Sequence, residues 1–126
     1  MKNRTLGKNL TVSTVGLSCM GYSHAYGEPV AQKELVELIA QAVDIGYTFF
    51  DTAEIYGTAD KPHDNEERIG AALKPFRDKV VIGTKFGIQF DKTSNETNLP
   101  VITDASPEVI KKSVEDSLKR LQTDHI

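Results

Sequence analysis

The chain has 126 residues, 39% of them hydrophobic and 26% charged, with a formal net charge of -3. These values fit one soluble globular domain over residues 1–126 and exclude the basic runs that a nucleic-acid partner requires. No apolar window approaches the roughly 20 residues of a membrane span, and no continuous apolar core near the amino terminus reads as a signal peptide. Cys19 is the single cysteine, so no internal disulfide is expected and a reducing, cytoplasmic setting is the simplest reading. As a small residue in an apolar segment, Cys19 reads as packing material rather than as a nucleophile.

In chain order, residues 4–13 alternate on either side of Gly7, Lys8 and Asn9, which predicts a hairpin with Gly7 and Asn9 supplying positive dihedrals. Residues 14–20 form a first candidate strand, with Gly16 inside it and Gly21 after it. From about residue 30 to 45, Leu35, Leu38, Ile39, Ala42 and Val43 recur at helical spacing, and Gly46 supplies a left-handed stop. A second strand is expected over 47–53, then a polar loop over 58–63 containing Pro62. Asp64 and Glu67 match a capping box that opens a short helix, with Ile69, Ala72 and Leu73 on its buried side and Pro75 closing it. A third strand covers 80–86, and residues 87–103 read as a long polar loop without periodicity. Ser106 and Pro107 open a helix with Ile110, Val114, Leu118 and Leu121 along one face, and residues 123–126 resemble the start of a fourth strand.

Strands alternating with helices mean a parallel sheet, and in such sheets the loops leaving the carboxyl ends of the strands build the site. Asp51 and Lys85 stand near those ends of two consecutive strands. Neighbouring strands run about 5 Å apart, so the carboxylate and the ammonium can meet, with the Tyr56 phenol arching over both. Singly, Asp51 reads as a turn former, Tyr56 as a half-buried aromatic and Lys85 as a surface charge. Three such groups on one rim point to a site. Glu54 is expected to face solvent or cap a turn, and residues 65–67 to cap the second helix. His24 and His63 are loop residues with packing or solvent roles, although His24 could border a substrate.

The segments Gly-Leu-Ser-Cys-Met-Gly (16–21), Phe-Phe-Asp-Thr-Ala-Glu-Ile-Tyr-Gly (49–57), Asn-Glu-Glu (65–67) and Gly-Thr-Lys-Phe (83–86) resemble the aldo-keto reductase family. The resemblance runs from the hairpin to the last residue, with a somewhat longer loop between Gly57 and Asn65. It implies a (β/α)8 TIM barrel, of which these residues supply the amino-terminal hairpin and the first three strand-helix units. It also implies reduction of an aldehyde or ketone by a nicotinamide cofactor, usually NADP and alternatively NAD. Of the family's catalytic aspartate, tyrosine, lysine and histidine, the first three correspond to Asp51, Tyr56 and Lys85. The histidine has no counterpart here, since His125 falls at the beginning of the fourth strand and so at the opposite rim. By analogy, Met20 and Gly21 touch the nicotinamide end of the cofactor together with Asp51, and no metal is implied.

In that chemistry Tyr56 is the general acid, because a neighbouring ammonium stabilises a phenolate and so eases loss of the phenolic proton. Lys85 would supply the ammonium and Asp51 would hold it. Two other readings stay open: a Schiff-base lyase using Lys85, and a non-enzymatic regulatory or interaction subunit on the same fold. A complete barrel takes about 250 residues. The segment alone is therefore expected to be inactive and to need the rest of a barrel, or another chain, over its open sheet.

Overall fold

The computed structural model describes residues 1–97 and 99–126. Strands β1 (Asn3–Leu6) and β2 (Leu10–Ser13) pair antiparallel from Asn3↔Ser13 to Leu6↔Leu10. Gly7 makes the turn at a φ of +57°, while Asn9 is not among the residues at positive φ, so one left-handed residue suffices.

Three short strands form the parallel sheet: β3 (Leu17–Ser18), β4 (Phe49–Asp51) and β5 (Val81–Gly83), in the order β3-β4-β5. Their register aligns Leu17 with Phe50 and Phe50 with Ile82. Strand periodicity sends Phe50 and Ile82 to one face, where both are buried, and Phe49 to the other. A Cβ on Gly16 would come within 2.8 Å of the Phe49 ring, so glycine is what lets that ring approach the chain just before β3.

Helix α1 (Gln32–Asp44) buries Leu35, Ile39 and Ala42, and helix α2 (Asp64–Leu73) buries Ile69, Ala72 and Leu73. With Cys19, Phe50, Val80, Ile82 and Leu121 these side chains form one core between the sheet and the helices. Each fully buried large apolar side chain contributes about 1.5–3 kcal/mol. Gly46, at φ +99°, turns the chain out of α1 as expected. A 3₁₀ turn (Lys74–Lys79) follows α2, with Pro75 at its start. Strands β6 (Ile88–Phe90) and β7 (Val101–Thr103) pair antiparallel, and α3 (Pro107–Arg120) completes the described elements. This is the hairpin and the first three strand-helix units of a (β/α)8 barrel. Among the described residues, no helix is long and apolar enough to cross a membrane.

Several expectations change. The strand expected over 14–20 pairs only at Leu17–Ser18, because Thr14 extends the hairpin by bonding Lys2 and Met20 begins a 3₁₀ turn (Met20–Tyr22). The capping box does not form: His63 is the N-cap, no side chain caps it, and Asp64 is already helical and pairs with Arg68 one turn on. The long polar stretch over 87–103 contains the β6–β7 hairpin, whose strands are too short to show periodicity. On α1, Leu38 is exposed; on α3, Ile110 is exposed and the closest packing is made by Ser113, Ser117 and Leu121. At the end of α3 the backbones nearly touch: a Cβ on Gly70 would lie 2.5 Å from the Arg120 carbonyl oxygen. Residues 123–126 form no strand; the His125 carbonyl accepts an N–H from Arg77 instead of pairing with β5.

Candidate active site

The strand ends meet as their register requires. Asp51 closes β4 opposite Gly83, and the chain keeps pairing past both, with the Thr52 N–H on the Gly83 carbonyl and the Glu54 N–H on the Lys85 carbonyl. This continued pairing puts the Lys85 side chain over the end of β4. Its Nζ lies 2.7 Å from Asp51 Oδ2 and 2.7 Å from the Thr52 carbonyl oxygen, so two of the three ammonium donors are engaged. The same Nζ is 4.9 Å from the centre of the Tyr56 ring. Asp51, Tyr56 and Lys85 are thus brought together.

Partial burial works against the Lys85 charge, but the hydrogen bond and the charge of Asp51, followed by Tyr56, outweigh it and raise the ammonium pKa above its ordinary value. The group stays protonated across the neutral range. Behind it, burial and then the Asp51 charge push the Cys19 thiol up to about 12, so it remains a neutral packing group, as expected. A hollow of about 100 Å³ opens between Tyr56, Lys85, Ile55, Phe86 and Ile88. A larger one, about 390 Å³, lies farther out between the β6–β7 hairpin, His63 and α3. The smaller hollow is the one bordered by the tyrosine and the lysine.

His24 stacks on Tyr56 with ring centres 5.7 Å apart, and its Nδ1–H donates to the Gly57 carbonyl at 2.6 Å. It therefore borders the site through the tyrosine. His63 donates Nδ1–H to the Glu54 carbonyl at 2.6 Å and serves the loop. His125 lies at the opposite rim, since the Arg77 guanidinium that binds its carbonyl also binds the Val80 carbonyl at the amino end of β5. Met20 and Gly21 form the turn just beyond Ser18, which is aligned with Asp51, and so stand on the same rim.

Two expectations fail here. Glu54 is neither solvent-facing nor a cap of its own turn; it is 5% exposed, and its Oε1 accepts the Gly87 N–H at 2.7 Å, fastening the loop after Lys85. Asn65 and Glu66 are fully buried and do not cap α2. Asn65 reaches Thr52, Cys19 and Ser23, while Glu66 accepts from Thr84 and Arg120. The Asn-Glu pair was visible in the sequence, but its partners are dispersed from Cys19 to Arg120. Among the described residues, no group of three or more His, Cys, Asp or Glu could hold a metal ion.

The family model described as Aldo/keto reductase family matches residues 15–126. A curated relative from Glycine max, "Probable aldo-keto reductase 1", is 37% identical over 116 residues, covering 91% of this chain and 31% of the relative. Among solved structures, an aldo-keto reductase from Bacillus halodurans in its holo form matches with a TM-score of 0.79 at 32% identity, covering 100% of this chain and 38% of that one. Another, from Klebsiella pneumoniae in complex with NADPH, matches with a TM-score of 0.67 at 28% identity, again covering 100% and 38%. The chain thus spans about a third of the length of its curated relative. A family match that takes in both strand ends of the site and extends to the last residue decides membership: the chain belongs to the aldo/keto reductase family.

Proposed function

We propose that the protein carrying this segment is an oxidoreductase that reduces an aldehyde or ketone to an alcohol with NADPH, or with NADH, and that Tyr56 is its proton donor. One observation carries the reading: an ammonium 2.7 Å from a carboxylate oxygen and 4.9 Å from the centre of a tyrosine ring, at the strand ends of this fold. As a carbonyl oxygen gains negative charge it needs a proton, and a phenol beside a fixed cation gives one up more readily. Lys85 stabilises the phenolate that forms, and Asp51 keeps Lys85 charged and in place. Such general acid help is worth about 10²- to 10⁴-fold.

The cofactor, when bound, supplies the hydride. The donor set here suits its nicotinamide end rather than its phosphates: the half-buried Met20 thioether, the exposed Gly21 backbone, and a carboxylate on Asp51 whose Oδ2 is held by Lys85. Met20, Gly21 and Asp51 are the residues we assign to that contact. A lyase that uses Lys85 to form a Schiff base needs the amine free of its proton. The raised pKa of Lys85 works against that alternative.

In the full-length protein, Tyr56→Phe is expected to abolish aldehyde-dependent oxidation of NADPH while leaving NADPH binding, followed by fluorescence, intact. Undiminished turnover would remove Tyr56 from the role. The 126 residues alone should show no such oxidation, because they span about a third of the length of the curated relative and supply three parallel strands of a barrel. Turnover by that product alone would contradict this.

A further inference from the structure

We propose that Asn65 is a positioning residue whose buried amide sets the spacing between Tyr56 and Lys85. The proposal rests on the reading of Tyr56 as proton donor. Asn65 sits in the first turn of α2 yet makes no cap there, and every one of its side-chain hydrogen bonds leaves the helix. Its Oδ1 accepts the Thr52 hydroxyl at 2.6 Å, and its Nδ2 donates to the Cys19 carbonyl at 2.9 Å and to Ser23 Oγ at 2.7 Å. The Cys19 carbonyl can only accept, so the amide has one allowed orientation.

From this hub two arms run to the reacting groups. Along one, the Ser23 hydroxyl accepts a hydrogen bond from the Asn65 amide and donates one to the Tyr56 carbonyl at 2.8 Å. Along the other, Thr52 is held through its hydroxyl while its carbonyl receives the Lys85 ammonium. Asn65, Thr52 and Ser23 are all at most 2% exposed. Water therefore has little access to replace a lost partner, and a gap in the chain must be closed by movement of the loops. The apolar side of α2 is already anchored by Ile69, Ala72 and Leu73. What Asn65 adds is a fixed distance between two loops.

The test uses the full-length protein with NADPH and a reducible aldehyde, comparing Asn65→Ala, Thr52→Val, Thr52→Ser and Ser23→Ala, with Tyr56→Phe as reference. Displacement of a reacting group by about 1 Å can cost 10²-fold, so Asn65→Ala and Thr52→Val are expected to lower kcat about 10- to 100-fold with KM little changed. The pH profile should shift with them on its alkaline side. The charged and titratable groups facing Tyr56 are Lys85 and His24, with Asp51 behind the lysine and Cys19 behind Asp51. Thr52→Ser keeps the hydroxyl and should recover most of what Thr52→Val loses. If Asn65→Ala does not fold, Thr52→Val and Ser23→Ala carry the same expectation. A kcat that does not fall, or that falls with an unmoved pH profile, overturns the proposal. Tyr56→Phe without turnover beside an active Asn65→Ala sinks this inference alone, whereas an active Tyr56→Phe sinks the reading beneath it.

Discussion

Among the described residues, two ion pairs join distant parts of the chain, and they lie in opposite surroundings. Arg120 and Glu66 meet at 2.6 Å with side chains 13% and 0% exposed, whereas Lys85 and Asp51 meet at 2.7 Å with side chains 48% and 41% exposed. The buried pair links α3 to α2, and Glu66 also accepts the Thr84 hydroxyl at the end of β5, so it fixes where two helices sit against the sheet. The exposed pair lies at the rim beside Tyr56. An exposed pair contributes about 0–1 kcal/mol to stability, too little for the fold to depend on it. The proposed function gives it a role at the tyrosine, whereas the buried pair belongs to the architecture.

Breaking the buried pair should have the largest effect on stability. Arg120→Met leaves the Glu66 carboxylate buried without its cation and is expected to destabilise the protein by about 3–5 kcal/mol, measured by urea unfolding. A loss under about 1 kcal/mol would erase the contrast with the exposed pair. Gly70→Ala comes next. Its new methyl would meet the backbone of Arg120 and Leu121 inside contact distance, and overpacking of this kind costs about 1–3 kcal/mol. The exception would be a rigid shift of α3, visible as an unchanged urea midpoint.

Smaller effects sharpen the exposed side of the comparison. Lys85 has a folded-state pKa above its ordinary value, so whatever stability its pairing contributes is fully present below that ordinary value and fades as pH rises through the raised one. The urea midpoints of the wild type and Lys85→Met should therefore converge at strongly alkaline pH. Cys19, with its thiol pushed up to about 12, should react with a thiol reagent at mildly alkaline pH only after unfolding. Fast labelling of the native protein would show that the core behind Asp51 is open.

The meeting of Asp51, Tyr56 and Lys85 was legible in the sequence and the buried linkers were not, for a physical reason. Asp51 and Lys85 follow apolar runs that end in strands, and strand spacing alone then places them within reach of each other. Tyr56 lies five residues beyond Asp51, in the same rim loop. Glu54, Asn65 and Glu66 look equally polar in one dimension, where the default for a polar residue is solvent or a cap. Their burial is decided by partners remote in sequence: the Gly87 amide, the Cys19 carbonyl, the Arg120 guanidinium. The β6–β7 hairpin escaped for another reason, since three-residue strands are too short to display alternation. On α3, the buried positions are Ser113 and Ser117 while Ile110 is exposed, and the close backbone approach falls at the helix end, where Gly70 meets Arg120 and Leu121.

Lys85→Met, assayed for both stability and turnover in one preparation of the full-length protein, tests the division between the two pairs most directly. The urea midpoint should correspond to a change of less than about 1 kcal/mol, while kcat for NADPH-dependent aldehyde reduction falls about 10²- to 10⁴-fold. A protein destabilised as severely as Arg120→Met, or one that still turns over at the wild-type rate, would contradict the account.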